Sequence, residues 1–337
     1  MSPDLPAEGL RRIVAGFSGM RVLVIGDLML DEFIWGKVSR ISPEAPVPVV
    51  QVSGESYYPG GAANVARNLR EFTPHTAVMG MAGTDAAGCR LVELLQKSGI
   101  DTAAVQRDSA VRTTVKTRVI ARNQQVVRVD REQKAALAPA QAALAMEQVE
   151  RAAPEVDAIV VADYGKGFMT QPLADHVCRV ARAQGKILAV DPHPHTSLSW
   201  TGATAIKPNR TEAFLAAGAA ASDPVSPPLA DAALLAVGAS LLQRWTCGFL
   251  LITLGEDGML LLEAAQRPVH IPARGKEVFD VSGAGDTAIA VLAVALAAGA
   301  TPRQAAELAN YAGGIAVGKL GTATVGADEI AAALERG

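Results

Sequence analysis

The run Phe279-Asp280-Val281-Ser282-Gly283-Ala284-Gly285-Asp286-Thr287 sets three small residues and a carboxylate directly before an apolar helical stretch at 288–298. Small residues let a ligand approach the backbone, and a helix start offers unpaired N–H groups and the positive end of a dipole. Such a place holds an anion while Asp286, in the first turn, takes a proton. On spacing alone a plain tight turn fits equally well. A second segment, Pro59-Gly60-Gly61-Ala62-Ala63-Asn64-Val65-Ala66, also puts glycines before a helix and leaves Asn64 facing out of its first turns. An amide that donates and accepts suits a hydroxyl-rich ligand; a side chain capping a turn is the plainer alternative. Neither segment has P-loop spacing, which argues against a Walker-type nucleotide triphosphatase. In Lys207-Pro208-Asn209-Arg210-Thr211-Glu212, Asn209 and Glu212 have the spacing of a capping box at a helix start.

These groups need a frame. Arg21-Val22-Leu23-Val24-Ile25-Gly26-Asp27 is a continuous aliphatic run ending in an acid, the pattern of a strand buried on both faces of a parallel sheet. The same grammar recurs at 158–163, 187–191 and 249–255, and Ala-rich segments of helical spacing lie between, at 138–153 and 173–183. Alternating strand and helix predicts an open, mostly parallel α/β sheet, whose ligands bind off the carboxyl ends of the strands, where Asp27, Asp163 and Asp191 point. Two stretches break the rhythm. Residues 32–58 are Pro-punctuated β sequence with no helix to follow, and 112–129 alternate in the manner of antiparallel strands exposed on one face. The two read as one small β-layer projecting from the main body, with Pro46 and Pro48 marking an edge or irregular strand. Residues 219–228 form a Ser/Pro/Ala loop.

Composition narrows the field. Half of the 337 residues are hydrophobic, only 4% are aromatic and the formal charge is −3, so no basic footprint for nucleic acid exists. The 3 cysteines, Cys89, Cys178 and Cys247, are odd in number and far apart, which argues against a disulfide framework or a zinc cage. His193 and His195, in a Pro-rich loop, have no clear third metal ligand. No apolar run approaches the roughly 18 to 20 residues of a membrane span, and the N-terminus lacks a leader pattern. The chain is expected to be cytoplasmic, with no membrane partner.

Taken together, G-G-A-A-N-V-A at 60–66 and D-V-S-G-A-G-D at 280–286 resemble the two signatures of the ribokinase-like (PfkB) carbohydrate kinase family. Finer strings resemble one branch of it, the kinases of D-glycero-D-manno-heptose 7-phosphate that serve ADP-heptose and lipopolysaccharide core synthesis. These strings are Gly26-Asp27-Leu28-Met29-Leu30-Asp31, Ser39-Arg40-Ile41-Ser42-Pro43-Glu44-Ala45-Pro46, Arg122-Asn123-Gln124-Gln125 and Val317-Gly318-Lys319-Leu320-Gly321-Thr322-Ala323-Thr324-Val325. The likeness runs from about Arg21 to Val325, nearly the whole chain.

The resemblance implies a ribokinase-like sheet with a β-lid, ATP and Mg²⁺ as cofactors, and phosphorylation at O1 to the β-1,7-bisphosphate. Asp286 would be the general base and the backbone of Gly283, Ala284 and Gly285 the anion hole. Asn209 and Glu212 would organise Mg²⁺ and phosphates through water, with Gly255 at the nucleotide. Sugar hydroxyls would fall to Asp27, Asp31, Gly60, Gly61 and Asn64. Lys116, Arg118, Arg122, Arg128 and Lys166 would meet the phosphate that the sugar already carries; for the arginines a solvated strand face is the alternative. The lid would close over the site and clasp a second copy in a homodimer.

Three departures from the family pattern stand out. The usual Lys-Gly after Asp191-Pro192 is His193-Pro194-His195, Thr73-Pro74 replaces a glycine, and only about a dozen residues follow Val325. A single kinase domain over 1–337 is therefore expected, without a nucleotidyltransferase domain, the adenylyl-transfer step belonging to a separate protein. The altered loop keeps open a kinase for a different sugar or sugar phosphate. A catalytically inert binding protein is the reading of another class, against which Asp286, Asn209 and Glu212 all weigh.

Overall fold

The computed structural model describes residues 6–122, 124–134, 136–274, 281–319 and 323–336. Asn123, Phe279, Asp280 and Leu320-Gly321-Thr322 of the motif strings lie outside them. The first half of the chain runs α1 (Ala7–Ala15), β1 (Arg21–Gly26), β2 (Leu28–Ile41), β3 (Pro48–Gly61), α2 (Ala62–Arg70), β4 (His75–Gly83), α3 (Ala86–Lys97), β5 (Asp101–Asp108), β6 (Thr114–Ala121), β7 (Gln124–Arg131) and α4 (Pro139–Ala152). The second runs β8 (Ala158–Ala162), α5 (Gln171–Ala183), β9 (Ile187–Asp191), β10 (Ala205–Ile206), α6 (Arg210–Ala217), α7 (Ala232–Trp245), β11 (Phe249–Thr253), β12 (Met259–Glu263), β13 (Val269–Ile271), α8 (Ala284–Ala297), α9 (Pro302–Val317) and α10 (Ala327–Arg336).

Nine strands form the main sheet in the order β13-β12-β11-β10-β9-β8-β1-β4-β5. It is parallel from β11 to β5, with β12 and β13 antiparallel at one edge. Successive strand residues point to opposite faces, so each aliphatic run feeds two layers. Val22, Val24, Ala158 and Val160 pack with α1, α2, α8 and α9 on one side. Leu23, Ile25, Ile159 and Val161 pack with α4, α5 and α7 on the other. Burying each large aliphatic side chain is worth about 1.5–3 kcal/mol, which explains how a core poor in aromatic residues suffices. Gly26 ends β1 where a Cβ would lie 2.0 Å from the Ala162 carbonyl oxygen, so only glycine lets the chain leave the sheet there.

One residue later, at Asp27, the chain enters a second sheet of order β3-β2-β6-β7. Its strands reach further into the main body than the 32–58 and 112–129 stretches indicated, because β2 and β3 stay paired down to Leu28 and Gly61. Asp31, Gly60 and Gly61 thus stand at the base of the lid. The pairing of β6 with β7 is antiparallel as expected, but β6 lies parallel to β2, since the connection between them passes through β4 and β5 of the main sheet. Register places Asp31 opposite Lys116, Phe33 opposite Arg118, and Arg118 opposite Arg128, all on one face of the lid. Among the described residues no helix is long and apolar enough to cross a membrane.

Candidate active site

α8 begins at Ala284, one turn before the apolar stretch, because Gly283 takes the left-handed conformation (φ 80°) and caps the helix start. The small residues therefore form the first turn itself, whose N–H groups have no partner within the helix. Beside this turn stands Lys207, almost fully buried just after β10; its Nζ lies 3.7 Å from where a Cβ on Gly285 would be. The same ammonium is 3.1 Å from Asp191 Oδ1 at the end of β9. Helix dipole, backbone N–H groups and a buried cation converge on one point, as an anion requires.

Asp286 lies in that first turn, and its two carboxylate oxygens are held from different elements. Asn64 Nδ2, on α2, donates to Oδ2 at 2.6 Å, and the Tyr164 hydroxyl, after β8, donates to Oδ1. Burial pushes the Asp286 carboxyl up to about 6, against the pull of the Tyr164 and Asn64 donors. A carboxylate poised there is ionised at neutral pH yet basic enough to take a hydroxyl proton. Asn64 is itself set by Asn68, whose Nδ2 donates to the Asn64 carbonyl at 2.9 Å while its Oδ1 accepts from Thr287 Oγ1 at 2.8 Å. Asn64 Oδ1 is buried and finds no donor among the described residues. A ligand hydroxyl would supply one.

Asp27, expected at the sugar hydroxyls, lines a pocket with Lys166 and has its carboxylate engaged by a backbone loop. Oδ2 accepts the backbone N–H groups of Tyr164 (2.9 Å) and Lys166 (3.1 Å), and Oδ1 that of Phe168 (3.0 Å). Its carboxylate is spent on shaping the 164–168 loop, because the strand order puts β1 directly beside β8. Asp31 stays at the site but is paired with Arg118. The backbone of Gly60 passes so close that a Cβ there would sit 2.5 Å from Asp31 Oδ2, and Gly61 (φ 59°) turns the chain into α2.

Among the expected cations, Lys166 and Lys116 are brought together. Lys166 Nζ contacts Glu132 Oε2 at 2.5 Å, while burial and the neighbouring Lys166 charge hold the Lys116 ammonium below its ordinary range. Arg128 is not part of this group: it is half exposed on the edge strand β7 and bound to Asp130 at 2.9 Å. Arg122 sits at the β6–β7 turn with φ 50°, at the far tip of the lid. The His193 ring packs over Gly165, where a Cβ would meet it at 2.8 Å, and among the described residues no group of three metal-ligating side chains forms.

Asn209 and Glu212 form the capping box that opens α6: Glu212 N–H donates to Asn209 Oδ1 at 2.9 Å and Asn209 N–H to Glu212 Oε2 at 2.7 Å. A cavity of about 260 Å³ on the other flank of α8 is lined by Thr253, Gly255, Met259, Arg274, Gly285 and Val317, among others. Gly285 belongs both to this cavity and to the anion hole, so a nucleotide lying in the first would present its phosphates to the second. Tyr164 and Lys207 were not singled out as site residues by sequence reasoning, and Asp191 was placed at the ligand end of its strand without a role. The available signal was position: each lies at or just past the carboxyl end of a main-sheet strand.

A buried carboxylate in the first turn of a helix, with a buried lysine beside it and a slot along the helix, suits a phosphotransferase acting on a hydroxyl group. Solved structures share the fold. They include Arabidopsis thaliana ribokinase complexed with ribose and ATP (TM-score 0.69, 15% identity, 94% of this chain and 99% of that one) and Escherichia coli phosphofructokinase-2 (TM-score 0.73, 19% identity, 94% and 99%). A family model described as pfkB family carbohydrate kinase matches residues 20–329, and the chain belongs to that family of ATP-dependent sugar kinases. Similar curated proteins are the bifunctional protein HldE of Desulfatibacillum aliphaticivorans, 43% identical over 322 residues, and that of Caulobacter vibrioides, 43% identical over 325. Each alignment covers 96% of this chain but only 64% and 65% of the relative.

Proposed function

We propose that the protein transfers the γ-phosphoryl group of ATP to O1 of D-glycero-D-manno-heptose 7-phosphate, a step toward ADP-heptose. The observation that carries this reading is the Asp286 carboxylate in the first turn of α8 beside Lys207, with Lys116 and Lys166 brought together at the base of the lid. Asp286 removes the O1 proton, the N–H groups at Gly283–Gly285 and the Lys207 ammonium receive the charge of the phosphoryl group in flight, and Lys116 and Lys166 hold the phosphate already on the sugar. Identity of 43% to HldE proteins over 96% of the chain supports the heptose substrate. Use of ATP as donor supports a cytoplasmic setting for the reaction.

Mg²⁺ fits the donor set, which is all oxygen. Burial pushes Asp191 up to about 6 in spite of Lys207, and Glu212 adds to the push, so this corner is short of positive charge. Asp191, Asn209 and Glu212 would hold the ion, directly or through water, and it would neutralise the phosphates of ATP. Measuring ADP release over a panel of heptose 7-phosphate, fructose phosphates, ribose and nucleosides tests the reading. Turnover confined to a nucleoside overturns it, and preference for another phosphosugar favours the alternative raised by the His193-Pro194-His195 loop.

Replacing Lys166 by Ala should raise KM for the phosphosugar about tenfold or more, through loss of a charge-assisted hydrogen bond, and leave KM for ATP unchanged. A change confined to ATP would put the sugar phosphate elsewhere. The lid is also proposed to clasp a second copy. Trp35, Val52, Val127 and Val129 are exposed on it, and all eight residues of the edge strand β7 face solvent. Light scattering should report a dimer that Val127→Lys with Val129→Lys converts to a monomer; a monomeric parent chain disproves the clasp.

A further inference from the structure

We propose that Tyr164 is a positioning residue for the general base, its phenol fixing the Asp286 carboxylate, and that Asp27 in turn fixes Tyr164 by holding the loop on which it stands. The inference rests on the reading of Asp286 as the base of a sugar kinase. Four elements present polar or charged groups to Asp286: Asn64 from α2, Tyr164 from the loop after β8, Asp191 from the end of β9 and Lys207 from beyond β10. Of these, Asn64 and Tyr164 donate directly to the carboxylate, one to each oxygen. The carboxylate plane is thereby set, and each oxygen keeps a second lone pair for the incoming hydroxyl.

Tyr164 suits the task because it remains a donor. Burial, with the Asp286 and Asp191 charges close by, holds its phenol well above the ordinary value of 10, so it does not ionise where the enzyme works. The proton balance is then simple. The sugar hydroxyl gives its proton to Asp286 as its oxygen bonds to the γ-phosphorus; the bond from that phosphorus to the bridging oxygen breaks, and its electron pair leaves on ADP. Tyr164 keeps its own proton throughout and stabilises the ionised base before transfer. Without the phenol, only Asn64 and the Lys207 charge still oppose the effect of burial on Asp286, and its carboxyl rises further.

The loop that delivers Tyr164 is built for precision. Asp27 accepts three of its N–H groups, and Asp163 Oδ1 accepts that of Gly165 at 2.8 Å. Asp163 Oδ2 also accepts from Thr196 Oγ1 at 2.7 Å, tying the His193 to Thr196 turn to the same loop. Because Lys166 rides on this loop too, one backbone segment registers the base against the phosphate end of the substrate.

The test is the ionisation of Asp286, read without turnover and with it. In full-length protein carrying ¹³C-carboxyl aspartate, with Asp286→Asn to identify the resonance, Tyr164→Phe should move the Asp286 midpoint upward by about one pH unit. The acid limb of kcat/KM should move by the same amount, and kcat on the alkaline plateau should fall about tenfold, since the base is intact but one of its oxygens is no longer held. Asp27→Asn, which weakens the hold on the loop, should shift the midpoint in the same direction by less. An Asp286 midpoint that is the same in parent and Tyr164→Phe overturns the inference. A parent protein that phosphorylates no sugar overturns the kinase reading instead, and the resonance still judges Tyr164.

Discussion

Asp286→Asn is expected to lower kcat by about 10²- to 10⁴-fold while leaving both KM values within a few-fold. The substitution keeps the shape of a side chain held at both of its terminal atoms, so the first turn of α8 and the anion hole persist. What it removes is the ability to take a proton: an amide oxygen is far too weak a base at neutral pH. It also turns one acceptor into a donor: with Oδ1 toward Asn64 Nδ2, the new Nδ2 faces Tyr164, whose hydroxyl then accepts instead of donating. The parent profile carries a second signature. With Asp286 pushed up to about 6, kcat/KM should fall as pH drops through 6, because the base becomes protonated, and the residual activity of the variant should show no such limb. ADP release followed from pH 5 to 9 measures both effects. Comparable turnover in the variant would place the base elsewhere.

Lys207→Met is the other large effect, and it acts on activity and stability together. The ammonium that borders the anion hole is lost, and removing one such stabilising group typically costs about 10²- to 10³-fold in kcat. The side chain of Lys207 is only 4% exposed and its ammonium lies 3.1 Å from Asp191 Oδ1, so the substitution leaves a buried carboxylate without its cation. Breaking one side of a buried pair costs on the order of 3–5 kcal/mol, reduced here to the extent that Asp191 takes up a proton. The sign of the pH dependence follows from that proton. Asp191 already titrates near 6 in the folded chain, above its unfolded value of 3.8, so between about 4 and 6 the native state holds the extra proton and stability falls as pH rises. Loss of Lys207 raises the folded value further, so the deficit against the parent should be small at pH 5 and grow toward pH 8. Urea unfolding across that range measures it. Lys207→Met with Asp191→Asn should recover much of the stability; a double variant no more stable than Lys207→Met would mean that the pair does not carry the deficit.

The frame was legible because its rules are local. Aliphatic runs ending in Gly-Asp mark β1, and the Val22/Leu23 alternation decides which layer each residue enters from the pleat alone. The capping box at Asn209 and Glu212 lies within a single turn, and the small residues before α8 announce a helix start that accepts an anion. Even so, the bounds of the lid were read short. Nothing in the composition of Leu28 to Asp31 says that strand pairing continues through them; that comes from Gly60 and Gly61 lying opposite.

Family membership, the small-residue helix start with its carboxylate and the cationic residues of the lid follow from the order of residues, since each depends on residue types within a turn or a strand of one another. Which partner each buried charge takes is settled by folding alone. Tyr164 meets Asp286 across 122 positions and Asn64 meets it across 222. Asp27 and Asp31, four residues apart in one motif, take opposite fates: the first binds a backbone loop because β1 runs beside β8, the second binds Arg118 because β2 runs beside β6. Strand order arises from packing the whole sheet, and a buried carboxylate must accept whatever donors that order brings within about 3 Å.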